Sequence, residues 1–494
     1  MSDVKDNPLR AEKRRKLTEL RQAGINPYPH NYNKTHNCAD LQKDHAGINA
    51  GDKLEHLKVS IAGRLMTMRD MGKAAFFTMQ DQSGKMQVYL RTQELNEAAQ
   101  KAFKLIDIGD IVGVKGFVFK TQKGELSVHA QEFEILCKTL EPLPEKYHGL
   151  TDVEVKYRLR HLDLVMNSDA RKVFETRSKI IREFRNFLDA RGFLEVETPI
   201  LQPIYGGAAA HPFSTHHRAL DMKLYLKISP EIYLKRLVVG GFEKVYEITK
   251  NFRNEGIDRS HNPEFTMLEY YEAYSDYNDQ MKHFENIIAH VAKTVTGSTK
   301  VMYQGKELDF TPPWRRLTVH EGVKEYANVD VDKLTDQELF KKCKEFGSDM
   351  EKPTSRGEML MEIFDLKVEG ELWQPTFVMD HPVEISPLTK SHRTKKGLVE
   401  RFEPVAACME IGNSYTELND PEEQLARLKD QEKKRVIDEE AHPLDDDFIH
   451  AIDVGMPPTG GVGIGIERIV MLLTDQHSIK DILLFPTMKF KDHT

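Results

Sequence analysis

The 494-residue sequence predicts an α+β protein in which an all-β segment precedes a larger domain of antiparallel strands flanked by helices. Three observations predict it. Residues 58 to 140 hold five runs of strand character, with a short helical piece after the third. Residues 168 to 191 place Val173, Phe174, Ile180, Ile181, Phe184, Phe187 and Leu188 at helical spacing. Residues 245 to 271 read as a strand, a charged loop and a returning strand.

At the N-terminus, Asn7 suits a helix cap, Pro8 a first position and Gly24 an end. Asn26-Pro27-Tyr28-Pro29 forbids continuation. The helix carries Lys13, Arg14, Arg15, Lys16 and Arg21, and two readings of this exposed basic face stay open: a solvated surface, or an arm that touches phosphates. The five strands that follow, with a helix near Leu95 to Phe103, match an OB-fold barrel, a common oligonucleotide binder. Phe76, Phe77 and Gln87 lie on its central strands, where a ring can stack a base and an amide can pair with its edge. Phe76 and Phe77 point to opposite faces, so at least one belongs to the barrel core.

Pro142, Pro144 and Gly149 mark a linker, after which Ser168 is expected to cap the helix that ends at Gly192. Tyr205-Gly206-Gly207-Ala208-Ala209-Ala210 is small and permissive backbone that a ligand can approach. Ser229 to Gly240 reads as a capped helix with Glu231 in its first turn. On the returning strand, Phe265, Met267, Glu269 and Tyr271 share a face, because strand side chains alternate. A carboxylate beside a phenylalanine requires either a wet face or a cationic ligand. Ile411, Asn413, Tyr415 and Glu417 share a second face, with Glu403 and Glu410 nearby. On regular strands Glu410 would point away from Asn413, and Gly412 offers a bulge that restores it. A charged helix from Pro421 to about Glu440 follows. Gly461, Gly463 and Gly465 then lead into a helix with Arg468 in its first turn, a pattern that is neither a P-loop nor a dinucleotide fingerprint.

A net charge of −8 argues against indiscriminate nucleic-acid binding but leaves room for a local basic surface. Cys38, Cys137, Cys343 and Cys408 lie far apart without a CxxC pair, which speaks against a disulfide scaffold or zinc ribbon and suits a reducing cytoplasm. No signal peptide and no apolar run of membrane-spanning length stands out, so no membrane partner is expected.

Together and in this order, the pieces resemble the class II aminoacyl-tRNA synthetases. The corner Arg191-Gly192-Phe193 through Pro199 is similar to their first motif. Arg253-Asn254-Glu255 with His261 through Phe265 is similar to the second, and Gly461 to Gly465 with Glu467-Arg468 to the third. A barrel ahead of the catalytic domain narrows the resemblance to the subgroup that charges lysine, aspartate or asparagine. FRNEGIDRSHNPEFTMLE, YGGAAA, PEIYLKRLVVGGFE and EIGNSYTELND are worded like its lysine-charging branch of bacterial type. An aspartate pocket would need buried cations, whereas this chain offers Glu231, Glu269 and Glu417, which suit ammonium groups.

The resemblance implies an N-terminal helical arm (residues 1–55), an OB-fold anticodon-binding domain (56–141), a linker (142–165) and a class II catalytic domain (166–494). It implies lysine activation with ATP and transfer to tRNA(Lys). Arg253 would hold the substrate carboxylate and the α-phosphate. Glu255, His261, Asn262 and Phe265 would bind the nucleotide, with Phe265 on adenine, and Arg468 would clamp it. Glu403 and Glu410 would ligate Mg²⁺. Glu231 and Gly207 would take the α-ammonium. Glu417 and Tyr271 would take the ε-ammonium, helped by Glu269 and Asn413, with Tyr415 packed on the lysine stem. In the barrel, Phe76 would stack on the anticodon, Gln87 would read a uridine and Arg69 would contact phosphate or base. A homodimer is implied as well. His211-Pro212-Phe213, Met68, Lys227 and Tyr415 depart from frequent residues of the family, and Met68 bears on anticodon grip. Three alternatives remain: an aspartate- or asparagine-charging relative, a paralogue that lysylates a protein, and a catalytically silent OB-fold regulator.

Overall fold

The computed structural model describes residues 7–144, 152–434 and 442–490. They fall into two compact units, divided between positions 151 and 152.

In the first unit, strands Lys53–Asp70, Ala74–Gln80, Lys85–Arg91, Leu126–Cys137 and Ile111–Lys120 close into a barrel in that order. Alternation drives the closure: Ala75, Phe77 and Met79 on one strand and Met86, Val88 and Leu90 on the next all turn inward. Helix Glu97–Leu105 plugs the barrel with Ala99, Ala102 and Phe103. The arm is not a free basic helix. Helix Pro8–Gln22 sends Leu20 into the barrel core, where it joins Cys38 and Leu41 of helix Cys38–Asp44. Lys13 is buried and donates to the Ile108 carbonyl and the Thr139 hydroxyl, while Lys16 pairs with Asp107 at 2.6 Å. The expected exposed basic face is therefore reduced, because packing on the barrel satisfies two of its cations.

The linker expected over 142–165 is shorter than that span. Residues 145–151 lie outside the described residues, but Val153–Arg158 and Arg160–Met166 are helices of the second unit. Arg160 is buried against Asp163 and donates to the carbonyls of Lys480, Leu483 and Leu484. A cation so enclosed holds the segment in place.

The second unit is built on a nine-stranded sheet. Along its path run Arg315–Thr318, Thr376–Met379, Arg401–Ala406, Gly412–Thr416, Thr459–Gly465, Glu264–Ala273, Lys244–Phe252 and Leu194–Glu195, with Met409–Glu410 paired beside Arg401–Ala406. Helices Ser168–Asp189, Tyr277–Thr296 and Ile466–Thr474 cover one face with Ile180, Phe184, Phe284, Ile288 and Val470. The opposite face is left to build a pocket. The first of these helices is capped by Asn167, not Ser168: the Asn167 side chain accepts from the N–H groups of Asp169 and Ala170. The charged helix runs Pro421–Lys434, and the expected continuation over 435–440 lies outside the described residues.

Candidate active site

The pocket is made by three neighbouring strands. Thr459–Gly465 lies between Glu264–Ala273 and Gly412–Thr416, and its glycines fall opposite the side chains that matter. Gly461 stands between Tyr271 and Tyr415, and Gly463 between Glu269 and Asn413. A Cβ at Gly461 would lie 2.0 Å from Glu417 Oε1 and 2.5 Å from Tyr271. The middle strand thus gives up its side chains so that its neighbours' can converge. The resulting cavity has a volume of about 400 Å³. Of the residues assigned to ATP, metal and lysine, it is lined by Gly207, Glu231, Arg253, Glu255, His261, Asn262, Phe265, Glu269, Tyr271, Glu403, Glu410, Asn413, Tyr415 and Arg468.

At one end is a nest of carboxylates. Glu231, Glu269 and Glu417 are all buried. Ser229 Oγ donates to Glu269 Oε1 at 2.9 Å, Tyr271 Oη to Glu269 Oε2 at 3.3 Å, and Tyr415 Oη to Glu231 Oε2 at 2.5 Å. Burial, and then the Glu231 charge, push the Glu269 carboxyl up to about 8. The two options left by the sequence, a wet face or a cationic ligand, have a third member: a carboxyl so buried can retain its proton. Burial also raises Glu417 well above the ordinary carboxylate range, and it raises the phenols of Tyr271 and Tyr415. Tyr415 is a hydrogen-bond donor to Glu231 as well as a wall of the pocket. Gly207, with φ +85°, packs so tightly over Ser229 and Glu231 that a Cβ would stand 2.7 Å from Ser229 Oγ. A neighbour that the sequence reading left out is Lys235. Its ammonium, fully buried, lies 2.5 Å from Glu231 Oε1 and 2.5 Å from Glu417 Oε2. Glu417 itself sits behind the wall, with Oε1 buried and without a hydrogen-bond partner.

Beyond the nest comes Arg253. Its guanidinium lies over the Phe265 ring at 5.1 Å, and its Nε is buried without a hydrogen-bond partner, a cation open to an anion. Burial lowers its basicity, but an arginine remains charged. The charged loop returns through Asp258, which accepts from the His261 N–H at 2.8 Å and holds His261 Nδ1 at 2.7 Å. His261 Nε2 then lies 3.4 Å from Arg468. Asn262 is buried, its Nδ2 donating to the Glu264 carbonyl while Oδ1 has no partner. Glu255 is exposed at the mouth.

The far end is acidic again. Arg468 pairs with Glu410 Oε2 at 3.2 Å, and Arg401 bridges Glu403 and Asn413 Oδ1, the latter at 3.0 Å. Burial opposes ionisation of Glu403, but Arg401 and His381 outweigh it and hold the carboxyl down to about 2. Behind this pair lies Asp365, which burial and then the charges of Glu369 and Glu403 raise to about 7. Among the described residues no group of three or more His, Cys, Asp or Glu gathers as a metal site, but Glu403 and Glu410 are oxygen donors of the kind a hard divalent ion takes when phosphate oxygens and water complete its shell. Glu410 reaches this side through a bulge. Val405 faces Glu410 while Phe402 faces Ser414, so one strand advances three residues where the other advances four. The extra residue falls at Ile411–Gly412, and Glu410 and Asn413 both line the cavity.

The sequence reading missed Lys235, Arg401 and His381. The signals were faint: Lys235 follows Glu231 by one helical turn, and Arg401 precedes Glu403 by two strand positions.

In the first unit, Phe76 is half-buried and meets Tyr89 with ring centroids 4.8 Å apart, whereas Phe77 points into the core. Gln87 Nε2 donates to Ser127 Oγ at 2.8 Å, and exposed Arg69 lies opposite Phe76 in the register.

Comparison with known proteins follows the same division. Residues 152–489 match the family described as tRNA synthetases class II (D, K and N), and residues 59–136 match the OB-fold nucleic acid binding domain. The chain is 51% identical over 490 residues to a protein named lysine–tRNA ligase in Clostridium botulinum, covering 98% of this chain and 96% of that protein. It is 52% identical over 487 residues to the protein of that name in Pelotomaculum thermopropionicum, covering 98% and 95%. It is 51% identical over 479 residues to that of Carboxydothermus hydrogenoformans, covering 97% of each.

Proposed function

Because the chain belongs to the lysine–tRNA ligases of the class II tRNA synthetases, we propose that it activates L-lysine with ATP and transfers the lysyl group to the 3′ end of tRNA(Lys). The observation that carries this reading is the nest of Glu231, Glu269 and Glu417 beside Arg253. Carboxylates buried at one end suit an amino acid with two ammonium groups, and the arginine next to them suits its carboxylate. An amino acid without the distal ammonium would leave buried carboxylates unpaired, which such sites reject strongly.

Lysine would lie with its amines toward Glu231, Glu269, Glu417 and Tyr271, and its carboxylate against Arg253. A carboxylate oxygen attacks the α-phosphorus of ATP, the bond to the bridging oxygen breaks, and pyrophosphate leaves with the electron pair. The terminal ribose hydroxyl of tRNA then attacks the acyl carbon, and AMP departs. No side chain need act as nucleophile. Arg253 and Arg468 hold the reacting phosphates and meet charge where it develops. His261, Asn262 and Phe265 hold the nucleotide, with Phe265 under adenine and Glu255 at the mouth. Mg²⁺, held by Glu403 and Glu410, would neutralise phosphate charge.

In the barrel, Phe76, Gln87 and Arg69 would grip the anticodon, supported by the half-exposed rings around Tyr89. A homodimer is supported by exposed Leu194, Ile200, Leu201 and Ile204 around the first motif. No helix among the described residues is long and apolar enough to cross a membrane, and the four free cysteines suit the cytoplasm.

Amino-acid-dependent exchange of pyrophosphate into ATP tests the reading. Lysine should support exchange, and aspartate and asparagine should not. Exchange with aspartate or asparagine would point to the neighbouring specificities. No exchange with any of them would point to a silent relative.

A further inference from the structure

Lys235 is the one cation enclosed within the carboxylate nest among the described residues, and nothing in the reaction above uses it. Its ammonium has no exposure, contacts Glu231 Oε1 and Glu417 Oε2 at 2.5 Å each, and lies 5.4 Å from the Tyr415 ring and 5.8 Å from that of Phe448. It claims one oxygen of each carboxylate. The other Glu231 oxygen is fixed by Tyr415, and the other Glu417 oxygen lies beside Tyr271, in the space where a side chain at Gly461 would stand.

Two consequences follow from charge and geometry. With one oxygen of each carboxylate held by the cation, the other is fixed in place, Glu231 Oε2 on the Tyr415 hydroxyl and Glu417 Oε1 against Gly461 of the cavity wall. The charge count is also set. With all three carboxylates ionised, the built-in ammonium leaves two negative charges, which lysine's two amines would balance. Without Lys235 three would remain.

On the reading that this pocket binds lysine, we infer that Lys235 is a positioning and specificity-determining residue: its ammonium, clamped between Glu231 and Glu417, fixes the orientation of both carboxylates and sets the pocket to accept a doubly cationic amino acid. It touches neither substrate. Its role is exerted through its two partners.

The test is lysine-dependent pyrophosphate exchange on the full chain and on Lys235→Met, Glu417→Gln and the double variant. Lys235→Met should raise the KM for lysine roughly 30-fold or more, the scale of a lost charged hydrogen bond, and leave the KM for ATP within about twofold. Its preference for lysine over ornithine should fall, since an unaimed Glu417 no longer measures length. In the Glu417→Gln background, Lys235→Met should add less than it does alone, about tenfold or under, because one of its two partners is already lost and only Glu231 is left for it to position. An unchanged lysine KM, a parallel rise for lysine and ATP, or effects that multiply in the double variant would each overturn the role. If Lys235→Met alone does not fold, the double variant read against Glu417→Gln decides the matter. Failure of the wild-type protein to exchange with lysine would overturn the reaction itself. Wild-type exchange with an unaltered variant would overturn only Lys235.

Discussion

Glu269 keeps its proton to about pH 8 in the ligand-free pocket, because burial and the Glu231 charge both oppose ionisation. Its folded value lies above the ordinary 4.5, so the stability it contributes is complete in acid and is lost as pH rises from about 4.5 through 8. The ligand-free protein should therefore melt lower at pH 8 than at pH 5 by more than the Glu269→Gln variant does, as calorimetry can measure. Lysine favours the ionised form. Its affinity should therefore tighten by about tenfold for each unit that the pH rises toward 8, with a proton released on binding. Titration calorimetry in buffers of different ionisation heat reads that proton, and a pH-independent Kd would contradict the assignment. At Glu417, exchange of the carboxylate for an amide should cost about 1.5–3 kcal/mol in lysine activation, on the order of 10- to 100-fold in KM, while ATP binding holds. Equal losses for both substrates would remove Glu417 from lysine recognition. Glu269 and Glu417 could be singled out in the sequence because each shares a strand face with aromatic side chains. Lys235 could not, since a lysine one turn after a glutamate is the ordinary pattern of a solvated helix face, and only the fold encloses it.

At the scale of elements, the glycine strand Thr459–Gly465 governs the shape of the pocket. Gly461→Ala would place a methyl group 2.0 Å from Glu417 Oε1 and against Tyr271, both buried. Such overpacking costs about 1–3 kcal/mol. Lysine-dependent exchange should be lost, while binding of a fluorescent ATP analogue stays within about threefold. Loss of both together would mean that the strand has collapsed. Local pattern carried the barrel strands and the hairpin Lys244–Phe252 with Glu264–Ala273, because alternation and turn residues are local signals. It also suggested the bulge at Gly412. It could not give the pairing of Glu264–Ala273 with Thr459–Gly465, since partners so far apart in sequence share no short-range signal. Nor could it place the helix cap, where Asn167 and Ser168 are both good candidates and only backbone geometry selects one.

For the whole molecule, each compact unit has its own apolar core, and the proposed lysine and nucleotide residues all belong to the second. Phe76→Ala in the first should therefore raise the KM for tRNA by about 10- to 100-fold, the scale of one lost base stack, and leave lysine-dependent exchange intact. A collapse of exchange would make Phe76 a packing residue. The order of the domains was legible from composition and period, whereas the true start of the second unit was not, because helices as short as Val153–Arg158 and Arg160–Met166 carry little periodicity. On the proposed reading the glutamates take the amines and Arg253 takes the carboxylate, and this division has a pharmacological corollary. A diamine with lysine's spacing but no carboxylate would satisfy the glutamates while leaving Arg253 empty-handed, and would be a dead-end competitor that occupies the enzyme and never reacts.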